Sequence, residues 1–235
     1  MTRYLSRRLL LLGTLGFASN ATAGTPHPLY GGDIFVRDPT LIPPPESPVD
    51  FEIASVNLKS IPSQYRRQIV EFDGFEPPGT VIVNPHQRML YLTLGDGKAL
   101  RFGVGVGRDG FAWSGEALIN MKRVWPRWVP PEEMVLRDKT AAKWANGMPG
   151  GPENPLGARA LYLFANGEDT LYRIHGTNEP KSIGEAVSSG CIRLLNQDIA
   201  ELYSRVPLGS KVIVLSGENA IAGPARPQLT RTYSW

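Results

Sequence analysis

A succession of short, β-branched segments separated by turn residues runs through this sequence from residue 79 onward. The first three segments are residues 80–84, 89–94 and 99–107, and the short gaps between them contain Pro, Gly and Asp. Strands joined by such tight turns pair with each other as antiparallel hairpins. The pattern does not suit a helical bundle, and we predict a mainly β domain that begins with a hairpin meander.

Further strand-like segments and two helical segments follow. Prolines around Trp125 and Trp128 exclude a helix there, and the two indoles suit either core packing or the wall of a groove. One amphipathic helix is predicted over residues 132–144. A second is predicted over residues 196–203, where Asn196 is typical of a capping residue. The further strand-like segments are residues 117–124, 160–163, 171–174 and 211–215.

The composition is that of a soluble globular protein with one principal domain. The chain has 235 residues, of which 42% are hydrophobic and 20% are charged, so a sizeable core is available. The formal net charge is only +3, and part of it lies near the N-terminus. This small and dispersed excess excludes nucleic acid as an expected partner.

Residues 1–23 have the three parts of an export signal peptide. A basic start precedes an apolar run at residues 9–18, and residues 21–23 (Ala-Thr-Ala) supply a small-residue cleavage pattern. The apolar run is too short to span a bilayer, which favours cleavage over a membrane anchor. Ser6-Arg7-Arg8 is also compatible with the twin-arginine export route. We expect the mature protein in the periplasm or cell envelope, without a stable membrane span.

Three regions of different composition follow the signal peptide. Residues 24–78 are rich in Pro and Gly and are predicted to form an extended arm, with a short helix or strand at residues 63–70. Residues 79–215 contain the strand-like segments and form the predicted main domain. Residues 216–235 lack periodicity and are predicted to be a C-terminal tail.

Cys191 is the only cysteine of the chain. Structural cysteines of exported proteins normally occur in pairs, and a single cysteine cannot form an internal disulfide. The residue type alone leaves two interpretations. Cys191 is either a reactive thiol that serves chemistry or a small, buried apolar side chain.

The residues around Cys191 favour chemistry. The cysteine follows Ser188-Ser189-Gly190, small residues that allow a tight turn with outward-pointing amides. His175 lies 16 residues earlier, at the end of a predicted strand, and is followed by Gly176. An imidazole near a thiol can take its proton, and backbone N–H groups can hold the oxyanion that forms at an attacked carbonyl. This composition suits acyl transfer through a thioester.

The run from His-Gly to Ser-x-Gly-Cys-Ile-Arg resembles the signature of the L,D-transpeptidase (YkuD-type, ErfK/YbiS-like) catalytic domain, and the similarity extends over residues 79–215. The resemblance implies a partly closed β-barrel or sandwich with one or two short helices, and no metal or organic cofactor. It also implies chemistry on peptidoglycan stem tetrapeptides. The thiol attacks the carbonyl of the third residue, D-alanine leaves, and an amine accepts the acyl group. The amine belongs to a neighbouring stem, giving a 3→3 cross-link, or to an envelope protein or lipoprotein.

The resemblance assigns roles to the residues that match the signature. Cys191 matches the nucleophile, His175 the general base, and Gly176 the residue whose carbonyl orients the imidazole. Gly190 matches an oxyanion-binding amide, with the amide of Cys191 beside it. The expected substrate-binding positions are Arg193, Ser188, Ser189 and Asn178. Arg193 either binds a substrate carboxylate or braces the loop. Many members have histidine where this chain has Ser189, which puts any role for a second imidazole in doubt.

Two other functions remain open from the sequence. With water as the acceptor, the same cysteine and histidine would make an L,D-carboxypeptidase, whereas a non-catalytic wall-binding protein would use neither. His27 and His86 show no metal-ligand spacing with the other histidine, so a metal site is not expected. Gly103, Gly105 and Gly107 are not followed by the Gly-Lys-Ser/Thr of a phosphate loop, and they suit either close strand packing or the approach of a substrate.

Overall fold

The computed structural model describes residues 50–107, 113–188 and 190–216, without the side chains of Val187 and Ser188. The predicted signal peptide, the first part of the predicted arm and all but the first residue of the predicted tail lie outside these ranges. Within the described ranges, no helix has both the length and the apolar surface needed to cross a membrane.

The described residues form a main sheet of nine strands and a separate pair of strands. The strands are β1 (Gln68–Glu71), β2 (Val81–Asn84), β3 (Met89–Gly95), β4 (Lys98–Gly103), β5 (Val106–Gly107), β6 (Gly115–Val124), β7 (Arg159–Ala165), β8 (Glu168–His175), β9 (Ala186–Ser188), β10 (Ile192–Arg193) and β11 (Lys211–Val214). The order in the main sheet is β1-β4-β3-β2-β11-β6-β7-β8-β10, and β5 pairs with β9. In the main sheet β11 is parallel to β2 and β10 is parallel to β8, whereas the other pairs are antiparallel.

In the described part of the chain, three short α-helices accompany the sheet: α1 (Glu132–Arg137), α2 (Lys139–Ala142) and α3 (Asn196–Arg205). The prediction of one helix over residues 132–144 is wrong, because Asp138 has an extended backbone that ends α1 and then caps α2. Its carboxylate accepts a hydrogen bond of 2.7 Å from the N–H of Thr140. The predicted second helix is confirmed as α3.

The strand predicted over residues 99–107 is interrupted, because Gly105 leaves the meander and bridges to Arg193 in β10. Each residue donates its backbone N–H to the carbonyl of the other, at 2.8 Å. A Cβ at Gly105 would lie 2.7 Å from the carbonyl oxygen of Ser182, so the predicted close packing at this glycine is confirmed. The mainly β fold with few short helices is confirmed, and the sheet remains unclosed.

The main hydrophobic core lies between one face of the sheet and helix α3. Leu161, Leu163 and Ile174 of β7 and β8 are fully buried, and Ile199 and Leu202 of α3 pack with them. Burial of each such side chain stabilises the fold by about 1.5–3 kcal/mol. A smaller cluster contains Phe72, Ile82, Met89, Tyr91 and Ala99.

The described part of the predicted arm packs against the domain. Residues 63–70 contain a 3₁₀ turn at Ser63–Tyr65 and the start of β1, which pairs with β4. Upstream, the carboxylate of Asp50 forms two hydrogen bonds with the Arg159 guanidinium, at 3.0 and 2.9 Å. Ile61 is only 1% exposed. The boundary at residue 78 between arm and domain stays a prediction.

Candidate active site

Strands β8 and β10 bring the motif residues to one face of the sheet. In their parallel pairing His175 lies opposite Arg193, and Ile174 lies opposite Ile192. Successive side chains of a strand point to opposite faces, and the two isoleucines belong to the core. His175 and Arg193 therefore share the other face. Cys191 comes directly before β10, two residues before Arg193.

The Cys191 thiol lies beside β8, where the backbone N–H of Arg173 donates a hydrogen bond to it. Burial raises the pKa of the thiol, and the nearby Asp169 carboxylate raises it further. The positive charges of Arg173 and Arg193 and the backbone N–H lower the pKa without cancelling the effect of burial. Cys191 is therefore a neutral thiol at neutral pH in the free protein.

The His175 imidazole is almost completely buried, with 4% of the residue exposed. Its Nδ1 lies 2.6 Å from the carbonyl oxygen of Gly176. Because a carbonyl can only accept, Nδ1 carries the proton, and Nε2 is the basic nitrogen of the neutral ring. Burial lowers the pKa of His175 to about 4, and the charges of Arg193 and Arg173 act in the same direction. The ring is therefore neutral at neutral pH.

Asn196 connects the backbone that follows Gly176 to the segment at Ala158. Its side-chain oxygen accepts hydrogen bonds from the N–H groups of Ala158 at 2.9 Å and Thr177 at 3.2 Å. A Cβ at Gly157 or at Gly176 would lie 2.2 Å from this oxygen, so both positions need glycine. The prediction that Asn196 caps α3 is wrong, because it is the first helical residue and its oxygen binds two N–H groups of other segments.

The loop between β6 and β7 reaches the imidazole through Leu156. A backbone hydrogen bond to Leu156 raises the pKa of His175 but does not offset burial. Asn154, which is fully buried, shapes this loop. Its amide group donates to the carbonyls of Pro126 at 3.0 Å and Pro149 at 2.9 Å, and its oxygen accepts from the N–H of Leu156 at 2.8 Å.

Trp125 belongs to the core and not to a groove, which answers the question left open for this residue by the sequence. It is 1% exposed, and its ring packs edge-on against Phe51 with centroids 5.5 Å apart. The indole N–H donates to the Asp50 carboxylate at 3.0 Å. Trp128 is half-buried, and its backbone pairs with Met148.

The remaining signature residues lie on both sides of Cys191. Gly190 is buried with a φ of 128°, a backbone conformation that favours glycine. The backbone of Ser188 ends β9, whereas Ser189 lies outside the described residues. The Asn178 amide donates to the carbonyl of Glu153 at 2.9 Å and so connects two loops.

Arg193 is held against the loop that follows His175. Its Nη1 lies 3.6 Å from a carboxylate oxygen of Glu179, and 12% of the side chain is exposed. Within the described ranges, Nε and Nη2 are buried and have no hydrogen-bond partner. Both proposed roles for Arg193, substrate binding and bracing of the loop, stay predictions.

A narrow apolar crevice opens beside Gly190. Tyr172 and Trp113 form one wall, with ring centroids 5.9 Å apart. The other lining residues are Pro85, Val106, Gly107, Gly190, Ile192 and Val214. The crevice lies next to the turn that carries the thiol.

Comparison with known proteins gives a family match over the main domain. The YkuD family model, described as the L,D-transpeptidase catalytic domain, matches residues 78–214. Two Escherichia coli (strain K12) proteins, probable L,D-transpeptidase YbiS and probable L,D-transpeptidase ErfK/SrfK, are each 34% identical to this chain, over 139 and 141 residues. Each match covers 57% of this chain and 43% of the relative. The chain therefore spans less than half the length of these curated relatives.

A solved structure is similar over a longer part of the chain. It is a crystal structure from Brucella melitensis, described as a probable carnitine operon oxidoreductase, and it is 48% identical in sequence. The similarity covers 68% of this chain and 99% of that chain, with a TM-score of 0.45. At this TM-score the likeness supports no functional inference.

Proposed function

Because this chain belongs to the YkuD family of L,D-transpeptidase catalytic domains, as its signature predicted, we propose that it is an exported cysteine L,D-transpeptidase of peptidoglycan. Two observations on strand β8 support the proposal: Nδ1 of His175 lies 2.6 Å from the carbonyl of Gly176, and the backbone N–H of Arg173 donates a hydrogen bond to the Cys191 thiol. The donor substrate is a stem tetrapeptide, and neither a metal nor an organic cofactor takes part.

In the acylation step, the Cys191 thiol gives its proton to Nε2 of His175 while the sulfur attacks the carbonyl carbon of the third stem residue. A C–S bond forms and the carbonyl oxygen becomes an oxyanion. The intermediate collapses, the C–N bond to the terminal D-alanine breaks, and His175 returns the proton to the leaving amine. The products are a thioester on Cys191 and free D-alanine.

In the second step an amine attacks the thioester. His175 takes a proton from this amine, the C–S bond breaks, and the thiolate regains the proton. A side-chain amine of a neighbouring stem gives a 3→3 cross-link, and a lysine of an envelope protein or lipoprotein gives a protein attached to the wall. Water as the acceptor gives a carboxypeptidase, which is the second candidate function.

The Gly176 carbonyl replaces the carboxylate of a conventional triad. By accepting from Nδ1 it selects the tautomer in which Nε2 is free to take the thiol proton. A carbonyl has no net charge and stabilises an imidazolium less than a carboxylate does. Together with burial, this favours a neutral pair at rest and proton transfer only as the sulfur attacks.

The Gly190 and Cys191 amides supply the oxyanion-binding donors in this proposal. The positive φ of Gly190 turns the backbone in a way that a residue with a Cβ rarely adopts. The proposed substrate-binding residues are Ser188, Ser189 and Asn178. Arg193 either binds a substrate carboxylate or braces the loop.

Purified protein incubated with tetrapeptide muropeptides tests the function. Cross-linked dimers with release of D-alanine support transfer, whereas tripeptides alone support the carboxypeptidase. Cys191→Ala should abolish both products without unfolding the domain, and product formation by that variant refutes the mechanism. A mass increase on Cys191 after treatment with a carbapenem separates an enzyme from a non-catalytic wall-binding protein.

The role of His175 has a matched control in the same chain. His175→Ala should slow acylation by roughly 10²–10⁴-fold, the usual loss when a general base is removed. His86 lies in an exposed turn, so His86→Ala should leave the rate unchanged. A loss below about tenfold in His175→Ala would argue against the assignment.

A further inference from the structure

Arg173 is a charged residue beside the thiol that the family signature does not contain. The β8–β10 register pairs Ile192 with Ile174 and Arg193 with His175, so Cys191, the residue before β10, comes next to Arg173. The Arg173 guanidinium is near enough for its positive charge to lower the pKa of the thiol. The Arg173 backbone N–H also donates a hydrogen bond to the sulfur.

The Arg173 guanidinium is fixed in place by two neighbours. Asp169 accepts two hydrogen bonds from it, at 2.6 and 2.7 Å. The Tyr162 ring lies on the adjacent strand, with its centroid 4.2 Å from the guanidinium carbon. The Arg173 side chain is 15% exposed. A planar, bidentate pair of this kind restricts where the positive charge can move.

Leu171, between the members of the pair, has a φ of 63°, which is uncommon for a leucine. The pairing of β7 with β8 shifts its register across Tyr162 and Phe164. This irregularity lets Asp169 reach back to Arg173 although both are on one strand. A residue in such a conformation must be held there by its surroundings, and residues of this kind are concentrated at functional sites.

The charged and titratable groups that face the thiol have opposite effects. From β8, Arg173 lowers the pKa of the thiol and Asp169 raises it, and from β10 Arg193 lowers it. Burial lowers the pKa of Arg193, and Glu179 partly offsets this effect. His175 is the proposed general base. The phenol of Tyr172, also on β8, has its pKa raised by burial and by the charge of the cysteine.

We propose that the Arg173–Asp169 pair sets the reactivity of Cys191: Arg173 stabilises the thiolate formed during attack, and Asp169 limits that stabilisation. The inference rests on the proposed function, since it concerns the same nucleophile. Arg173 is not a catalytic residue, because it transfers no proton and forms no bond. It acts through its charge and through the N–H that it directs at the sulfur.

Alkylation of the full-length protein by iodoacetamide, followed by mass spectrometry across a pH series, tests the proposal. Because Cys191 is the only cysteine, the reaction reports on this thiol alone. Arg173→Gln should slow alkylation near pH 7 by roughly tenfold, because a nearby positive charge favours the thiolate. Arg173→Lys keeps the positive charge but loses the bidentate contact with Asp169, so its alkylation should be slower than that of the parent and faster than that of Arg173→Gln. Asp169→Asn should accelerate alkylation by roughly threefold, because it removes the opposing charge.

The opposite directions of the two changes separate this proposal from a structural role. If the pair only braces the strand, Arg173→Gln and Asp169→Asn break the same contact and should change the rate in the same direction. A matched control is the pair of Arg205 with Glu201 at the far end of α3 from Cys191, also four residues apart. Arg205→Gln should leave alkylation unchanged.

Changes in the same direction, or no change in either variant, overturn the proposal. If Arg173→Gln does not fold, as judged by circular dichroism, Asp169→Asn decides the question, and alkylation that is unchanged or slower overturns the proposal. Alkylation requires no peptidoglycan. The inference can therefore fail while cross-linked dimers still form, and it can hold in a protein that forms none.

Discussion

The buried imidazole predicts an unusual pH dependence of acylation, which can be measured with a carbapenem as the acylating agent. Burial lowers the pKa of His175 to about 4 from its ordinary value of 6.5. The base should therefore stay neutral far into the acid range. Since burial also raises the pKa of Cys191, the rate should be nearly constant from about pH 5 to neutral pH and above.

The size of the effect follows from the two pKa values. At pH 5.5, a histidine with a pKa of about 4 is roughly 97% neutral, whereas one with the ordinary value is roughly 9% neutral. The difference is about tenfold in the concentration of competent base. Stopped-flow measurement of carbapenem acylation, with mass spectrometry to confirm the adduct on Cys191, covers this range.

The shape of the profile separates the alternatives. An inflection near pH 6.5 would show that His175 is solvated and would refute the reasoning from burial. A tenfold rise per pH unit across the range would show that the thiol ionises without help. This second shape is expected for His175→Ala, which lacks the base, so the parent and this variant should differ most at acid pH.

Three further predictions concern stability and positioning. Burial raises the pKa of Asp198 to about 6, so the folded state holds this proton more tightly than the unfolded state between about pH 4 and 6, and stability is lost as pH rises through that window. Relative to the parent, the free energy of unfolding of Asp198→Asn, measured in urea, should rise by up to about 3 kcal/mol between pH 4 and pH 7. A difference in this free energy that does not change with pH would contradict the raised pKa of Asp198. Asn196→Leu should lower the carbapenem acylation rate more than tenfold, whereas Asn196→Asp keeps the accepting oxygen and should retain most of the rate. Equal losses in the two variants would show that the two N–H contacts do not affect acylation. Gly190→Ala should cost roughly 1–3 kcal/mol of stability from backbone strain and should reduce the acylation rate, and an unchanged rate would remove Gly190 from the oxyanion site.

The strands could be predicted from the sequence because β-branched residues and turn residues alternate along it. The position of Cys191 beside strand β8 could not, since it depends on parallel pairing between segments that no short-range pattern connects. Only the family resemblance joined His175 to Cys191 before the fold was known. The contact between His175 and the Gly176 carbonyl is present in the structure, whereas its catalytic role stays a prediction.

Three residues show where local sequence patterns are insufficient to predict the structure. Asn196 looked like a helix cap, but its oxygen is used by two backbone N–H groups that are distant in sequence. Asp138 broke a predicted helix because its side chain satisfies the N-terminal N–H groups of the next helix. No local sequence pattern pointed to Arg173, because its proposed effect on Cys191 depends on the pairing of β8 with β10. For Asn196 a tertiary contact outweighed the local preference, whereas Asp138 acts through a local helix cap.

Strand β1 lies upstream of residue 78, where the family match begins, and it covers the edge of β4 with antiparallel pairs from Gln68 to Glu71. A truncated protein that started at residue 78 would leave the hydrogen-bonding groups of β4 without this neighbour. Bare strand edges recruit other chains, so the shortened protein should self-associate or precipitate. A fragment chosen for purification should therefore include β1 as well as residues 78–214, which the family model matches.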